Sequence, residues 1–245
     1  MRAPDLLAER LRDVQRHEAA LPAKDAVHDM RVASRRLRAA LRILRLRELD
    51  PAVKELQDAL GAVRDLQLQV EWFARRDAGL RRRRAAELRK AEAALERAVR
   101  KWRTRSLPRL LEAASAANGP GSRRLHKMLR KRIRRLEERL EAARAKPTAG
   151  AMHRARISVK QVRYLLEISQ EMLPAKAAAL VADLKTLQAS LGELHDVDAR
   201  LALLRSKPAL RRDQQEDRNR LARIIATQLD RWHHQSIASH ARRRL

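Results

Sequence analysis

The chain has 245 residues with 57 Lys and Arg against 30 Asp and Glu, a formal charge of +27 at pH 7 that points to a polyanionic partner. Apolar residues make up 44% and recur at helical spacing, which excludes a disordered basic tail, while the lack of cysteine excludes disulfide frameworks, thiolate nucleophiles and Cys-based zinc sites. No stretch approaches the roughly 18 to 20 uncharged apolar residues that span a bilayer, and the N-terminus, with Asp5, Glu9 and Arg10, lacks the apolar core of a signal peptide. A cytoplasmic protein without membrane contact is expected.

Proline marks the starts and ends of helices, because it suits a first helical turn and disrupts an interior. Pro4 precedes a helix predicted over 5–21, Pro22 separates it from 24–48, and Pro51 opens 51–77. A fourth helix over 81–116 carries Pro108 and ends at the turn Asn118-Gly119-Pro120-Gly121-Ser122. Then come 122–145, 151–172 after Pro147, 175–204 after Pro174, and 208–241 opened by Pro208. All are rich in Ala, Leu, Arg and Glu, strong helix formers.

An internal repeat organises these helices. Residues 27–38 align with 152–163 at a constant offset of 125, shared by Pro22 and Pro147, and residues 54–65 align with 185–196 at an offset of 131. The expected fold is all-α: one domain over 1–245, made of two four-helix halves, about 1–117 and 122–245, related by pseudo-twofold symmetry.

Residues three and four apart share a helix face, so His28, Arg31, Arg35, Arg38 and Arg42 form one line, about 20 Å long at ~1.5 Å per residue. His153, Arg156, Lys160 and Arg163 form another. Met30, Leu37, Leu41 and Leu44 fall on a different face, which leaves the cations free of the core. Stacked like charges repel, and the stripe holds no intrahelical carboxylate to offset them beyond the neighbouring Asp29, so a bound anion is the expected counter-charge. Arginine suits phosphate through its two-pronged donor geometry, and partly protonated histidine adds point charge. Scattered runs such as Arg81 to Arg84 read as a solvated surface; a basic pattern kept in two otherwise divergent copies reads as a binding face.

The segments His28-x-x-Arg31-Val32-x-x-x-Arg36-x-Arg38 and His153-x-x-Arg156-Ile157-x-x-Lys160-x-x-Arg163-Tyr164 resemble the repeated signature of the CHAD family, the conserved histidine alpha-helical domain. The Leu-Gln-x-x-Leu-Gly segments ending in Asp65 and Asp196 look like its second motif, and the resemblance covers essentially the whole chain. It implies basic helices around a central pore or groove that binds inorganic polyphosphate, without catalysis or cofactor, and association with polyphosphate granules. Members are also fused to a triphosphate tunnel domain; no strand pattern for one occurs in this sequence. The resemblance implies anion contact at His28, Arg31, Arg35, Arg38 and Arg42 and at His153, Arg156, Lys160 and Arg163. Lys54 and Lys185 hold matching positions before the Leu-Gln motif, and Lys127, Arg130 and Arg134, with Lys131, would widen the surface until Glu137, Glu138 and Glu141 reverse its charge. Gln161 stands where the first copy has Arg36, and Arg64 where the second has His195, which breaks strict equivalence of the halves.

Two other functions compete. A metal-dependent phosphohydrolase would gather His28, His153 and His195 with Asp65, Asp196 and Asp198, although no metal-ligand spacing or phosphate-cradling Gly-rich loop is present. Otherwise Asp65 and Asp196 orient a neighbouring Arg or His. Nucleic acid is attracted by charge alone and is expected to bind only non-specifically, because Trp72, Phe73, Trp102, Tyr164 and Trp232 do not interleave with the basic stripes and read as core. Gly61 and Gly192, inside predicted helices, mark either a close helix approach or a bend.

Overall fold

The computed structural model describes residues 3–116, 122–168 and 177–234, with no strand among them. The chain divides into two compact units, Met1–Pro120 and Gly121–Leu245.

The first unit contains α1 (Ala3–Arg16), α2 (Lys24–Leu44), α3 (Asp50–Phe73), α4 (Ala78–Lys101) and α5 (Leu107–Ala116). Each of α1 to α3 packs on the next, and α5, which continues the helical path of α4, returns to α1 and closes a four-layer ring. The apolar spacing explains this ring. Val27, Met30, Leu37 and Leu41 of α2 are fully buried, as are Val53, Leu60 and Val63 of α3. Each such Leu contributes about 1.5–3 kcal/mol by leaving water.

The second unit repeats the arrangement with α6 (Ser122–Ala145), α7 (Ala149–Ile168), α8 (Ala177–Leu203) and α9 (Pro208–His234). Helix α6 packs on α7, α7 on α8, α8 on α9, and α9 back on α6. Its core holds Leu129, Ile133, Val159, Leu184, Ile225 and Trp232. Phe73, Trp102, Tyr164 and Trp232 are all buried, as core aromatics should be.

Most helix boundaries match the proline pattern, and the departures have local causes. Helix α1 stops at Arg16 rather than 21, and a 3-10 turn over Glu18–Ala20 follows. Helix α2 stops at Leu44 rather than 48 because Arg45 adopts the left-handed conformation (φ 68°), and the amides of Arg45 and Leu46 both donate to the Leu41 carbonyl. Helix α4 starts at Ala78 rather than 81 because Asp77 caps it, its Oδ1 accepting from the Leu80 amide at 2.8 Å. Thr148 likewise draws the start of α7 back to Ala149, its Oγ1 accepting from the Ala151 amide at 3.2 Å. The predicted 81–116 helix is continuous but widens into a π-helical turn over Trp102–Ser106. Pro108 accounts for the widening: in a regular α-helix its ring would strike the carbonyl of Thr104. The predicted ends at 172 and 241, and the start at 175, lie outside the described residues.

Candidate anion-binding grooves

In the first unit α2 and α3 pack side by side in opposite directions, so the basic line of α2 runs along one face of α3. That face, spaced at seven, four and three residues, consists of Asp50, Gln57, Gly61 and Arg64. At one end His28 faces Arg64. Next, the Arg31 guanidinium lies over Gly61, where an added Cβ would stand 3.5 Å from Arg31 Nε and 3.8 Å from Nη2. Gly61 thus faces a side chain of α2 rather than its backbone, and a methyl group there would make only ordinary contact with Arg31. Nη1 of Arg64 is shielded from solvent with no hydrogen-bond acceptor among the described residues, which leaves a charged donor available to an anion.

The other end of the line is built differently from the sequence expectation. Arg38 donates from Nε and Nη2 to the two carboxylate oxygens of Asp50, at 2.8 and 2.9 Å, and from Nη1 to Gln57 at 3.2 Å. The Arg38 side chain is only 14% exposed, and Arg42, 35% exposed, reaches the same carboxylate at 3.5 Å. Burial works to raise the Asp50 pKa, but the hydrogen bond and charge of Arg38, with Arg42, hold the carboxyl below its ordinary value.

The second unit repeats the groove between α7 and α8. His153 and His195 face each other with ring centroids 5.6 Å apart, the counterpart of His28 and Arg64. Arg156 and Lys160 follow, both half-buried. At the far end Arg163 donates to Gln188 at 2.8 Å, the same contact that Arg38 makes with Gln57, and to Glu167 at 2.5 Å. It also lies over the Tyr164 ring, 4.4 Å from the centroid, with its side chain 11% exposed. Two expectations are corrected here. The stripe does contain an intrahelical carboxylate, Glu167, one turn beyond Arg163, and Arg38 and Arg163 are sunk into the helix seam rather than held away from the core.

His28 is also not the cation expected, and His195 is affected in the same way. Burial, followed by Arg64, Arg35 and Arg31, lowers the His28 pKa despite the opposing effect of Asp29. Burial, followed by Arg156, His153 and Lys160, lowers that of His195 against Asp196. Each ring loses hydration and stands among positive groups, so its neutral form is favoured in the absence of an anion.

By helix spacing Lys54 stands between Asp50 and Gln57, and Lys185 one turn before Gln188, on the faces of α3 and α8 that line the grooves. Lys54 pairs with Asp58 one turn on, and Lys185 is exposed. Lys127, Lys131 and Arg134 occupy the face of α6 opposite its buried Leu129, Ile133 and Leu136, and Arg130 is exposed beside them. From α6 it is instead Arg132, unnoticed in the sequence, that reaches the α7 side chain Gln161. Asp65 and Asp196 are exposed, and Asp198 accepts from Arg218 of α9 at 2.7 Å. Among the described residues no three His, Asp or Glu side chains gather as a metal site, and no helix is long and apolar enough to cross a membrane.

Arg64, Gln57, Gln188, Asp50 and Glu167 thus belong to the grooves although sequence reasoning passed over them or gave them no such role. The repeat carried the signal for the two glutamines, which share the 131 offset. Nothing local flagged Asp50, which looks like an ordinary acidic residue at a helix start.

Comparison with known proteins agrees with this architecture. A sequence model of the CHAD domain matches residues 5–205. The crystal structure of the CHAD domain from the plant Ricinus communis superposes with a TM-score of 0.68 at 25% identity, covering 93% of this chain and 90% of that one. No curated protein matches the chain in sequence.

Proposed function

The chain belongs to the CHAD domain family, and from that premise we propose that it binds inorganic polyphosphate, without catalysis, in the grooves α2–α3 and α7–α8. CHAD domains are associated with polyphosphate binding. The observation that carries the reading is the duplicated cluster: His28, Arg31, Arg35 and Arg64 in one unit, and His153, Arg156, Lys160 and His195 in the other. Each gathers cations and histidines from two neighbouring helices onto one strip, about 10 Å long between the first and third positions at ~1.5 Å per residue. A linear polyphosphate presents closely spaced anionic oxygens along one direction, which matches donors arranged in a row. Recruitment to polyphosphate granules would follow from this affinity.

Nucleic acid shares the charge but asks for more. Single strands are held by bases stacking on exposed aromatic rings, and here Phe73, Trp102, Tyr164 and Trp232 are committed to the core. Trp72 packs edge-on against Phe73, with Arg76 over its ring. The test is a competition titration at fixed, near-physiological salt, in which long-chain polyphosphate and then single-stranded or duplex nucleic acid are added to the labelled full chain. Tighter binding of polyphosphate per phosphate, undisplaced by nucleic acid, supports the proposal. Comparable affinities would overturn it in favour of general polyanion binding.

A further inference from the structure

We infer that Asp50 and Glu167 are resident anions that close each groove, confining a bound polyanion to the clusters headed by His28 and His153 and keeping Arg38 and Arg163 for the protein's own use. The inference rests on the polyphosphate reading and defines the extent of that same site.

Geometry is the first argument. The planar fork of Arg38 is filled along one edge by both oxygens of Asp50 and on its remaining side by Gln57. Arg163 donates from Nε to Gln188 and from Nη1 to Glu167 and is backed by Tyr164. An incoming phosphate would have to displace a carboxylate already held in place and only 20% exposed at Asp50 or 15% at Glu167. The internal partner has paid no association entropy, so it wins at ordinary ligand concentrations. Arg31 in the same row instead rests over a glycine.

The second argument is that the two units reach one result by different routes. The repeat offsets place Val181 where Asp50 stands in the first unit (50 + 131), and Arg42 where Glu167 stands in the second (42 + 125). Neither carboxylate has an acidic counterpart in the other copy. Yet each neutralises the arginine at the same repeat position, Arg38 or Arg163, while the Gln57 and Gln188 contacts are retained in both. A carboxylate on the arginine at this repeat position is thus the shared feature, independent of which residue supplies it, although Arg42 leaves the end of the first line one charge positive.

The experiment measures affinity of the full chain for polyphosphate of one defined length across a salt series. Asp50→Asn and Glu167→Gln, which keep shape and remove charge, should each tighten binding roughly three- to tenfold. They should also steepen the fall of log affinity with log salt by about 0.7 per arginine released to a phosphate. Arg38→Gln and Arg163→Gln, which each leave a carboxylate unpaired, should weaken binding only modestly and less than Arg31→Gln does. A carboxylate that merely staples two helices would alter melting temperature without moving the salt slope. Unchanged slopes in D50N and E167Q, or R38Q weakening binding as much as R31Q, overturn the inference. Should D50N lose its melting transition, the doubly neutral R38Q/D50N chain decides: parent-like affinity supports the inference and weakened affinity overturns it. Absence of polyphosphate binding by the parent chain would sink the functional reading itself.

Discussion

Gly192 and Gly61 occupy equivalent positions in the two grooves, and replacing each by alanine separates helix stability from anion contact. A glycine inside a helix costs about 1 kcal/mol relative to alanine, mainly through the backbone freedom it retains when unfolded. At Gly192 an added Cβ meets nothing within 4 Å, so Gly192→Ala should realise nearly all of that gain. For a chain of this size the shift in melting temperature is about 2–4 °C upward. At Gly61 the Cβ would contact Arg31 Nε at 3.5 Å, an ordinary van der Waals distance, so Gly61→Ala should gain stability too. Because that contact requires no shift of Arg31, polyphosphate affinity should stay within a few-fold of the parent. Thermal unfolding followed by circular dichroism, with binding measured on the same samples, reads both effects. A melting temperature lowered by Gly192→Ala would refute the reasoning, since no clash or lost contact exists there to offset the propensity gain.

Polyanion binding should be linked to protons at His28 and His195. Their pKa values are lowered in the folded protein, so on acidification the unfolded chain takes up protons first; stability falls as pH drops from about 6.5 through the folded values. A bound anion reverses the local charge and favours the protonated rings. Calorimetric titration near pH 6 in two buffers of different ionisation enthalpy should therefore show proton uptake on binding, reduced in a His28→Gln, His195→Gln chain; equal heats in both buffers would contradict this. Leu37→Ala, at a fully buried position of α2, should cost about 2–5 kcal/mol in denaturant unfolding, and a loss well below 1 kcal/mol would place the core elsewhere. Asp77→Ala removes the cap of α4 and should cost about 1 kcal/mol, whereas Asp77→Asn should retain most of it.

The helices were legible because spacing and punctuation agree: Met30, Leu37 and Leu41 repeat at helical intervals, and prolines stand at most of the ends. Ends set by a side-chain cap or a left-handed residue escaped, because Asp77, Thr148 and Arg45 act through hydrogen bonds or backbone angles that composition does not encode. In the grooves, the repeat exposed what both copies share: the histidine, the following basic residues and the glutamine. It concealed what differs between them. Asp50 and Glu167 sit at unmatched positions, so a comparison of the copies cannot find them, and their effect depends on distances across a helix seam. The lowered pKa values of His28 and His195 follow from the same packing, which partly desolvates each ring and sets it beside cations of the neighbouring helix.

The central claim is that position, not net charge, makes the binding site. Its most direct test compares polyphosphate affinity of two full-length variants that lose the same four charges: one with Arg31, Arg35, Arg156 and Lys160 changed to Gln, the other with Arg81, Arg82, Arg83 and Arg84 changed to Gln. The groove variant should lose roughly a hundredfold or more in affinity at near-physiological salt with helicity unchanged, and the α4 variant should stay within a few-fold of the parent. Equal losses in the two would show that overall charge suffices, and would contradict the account.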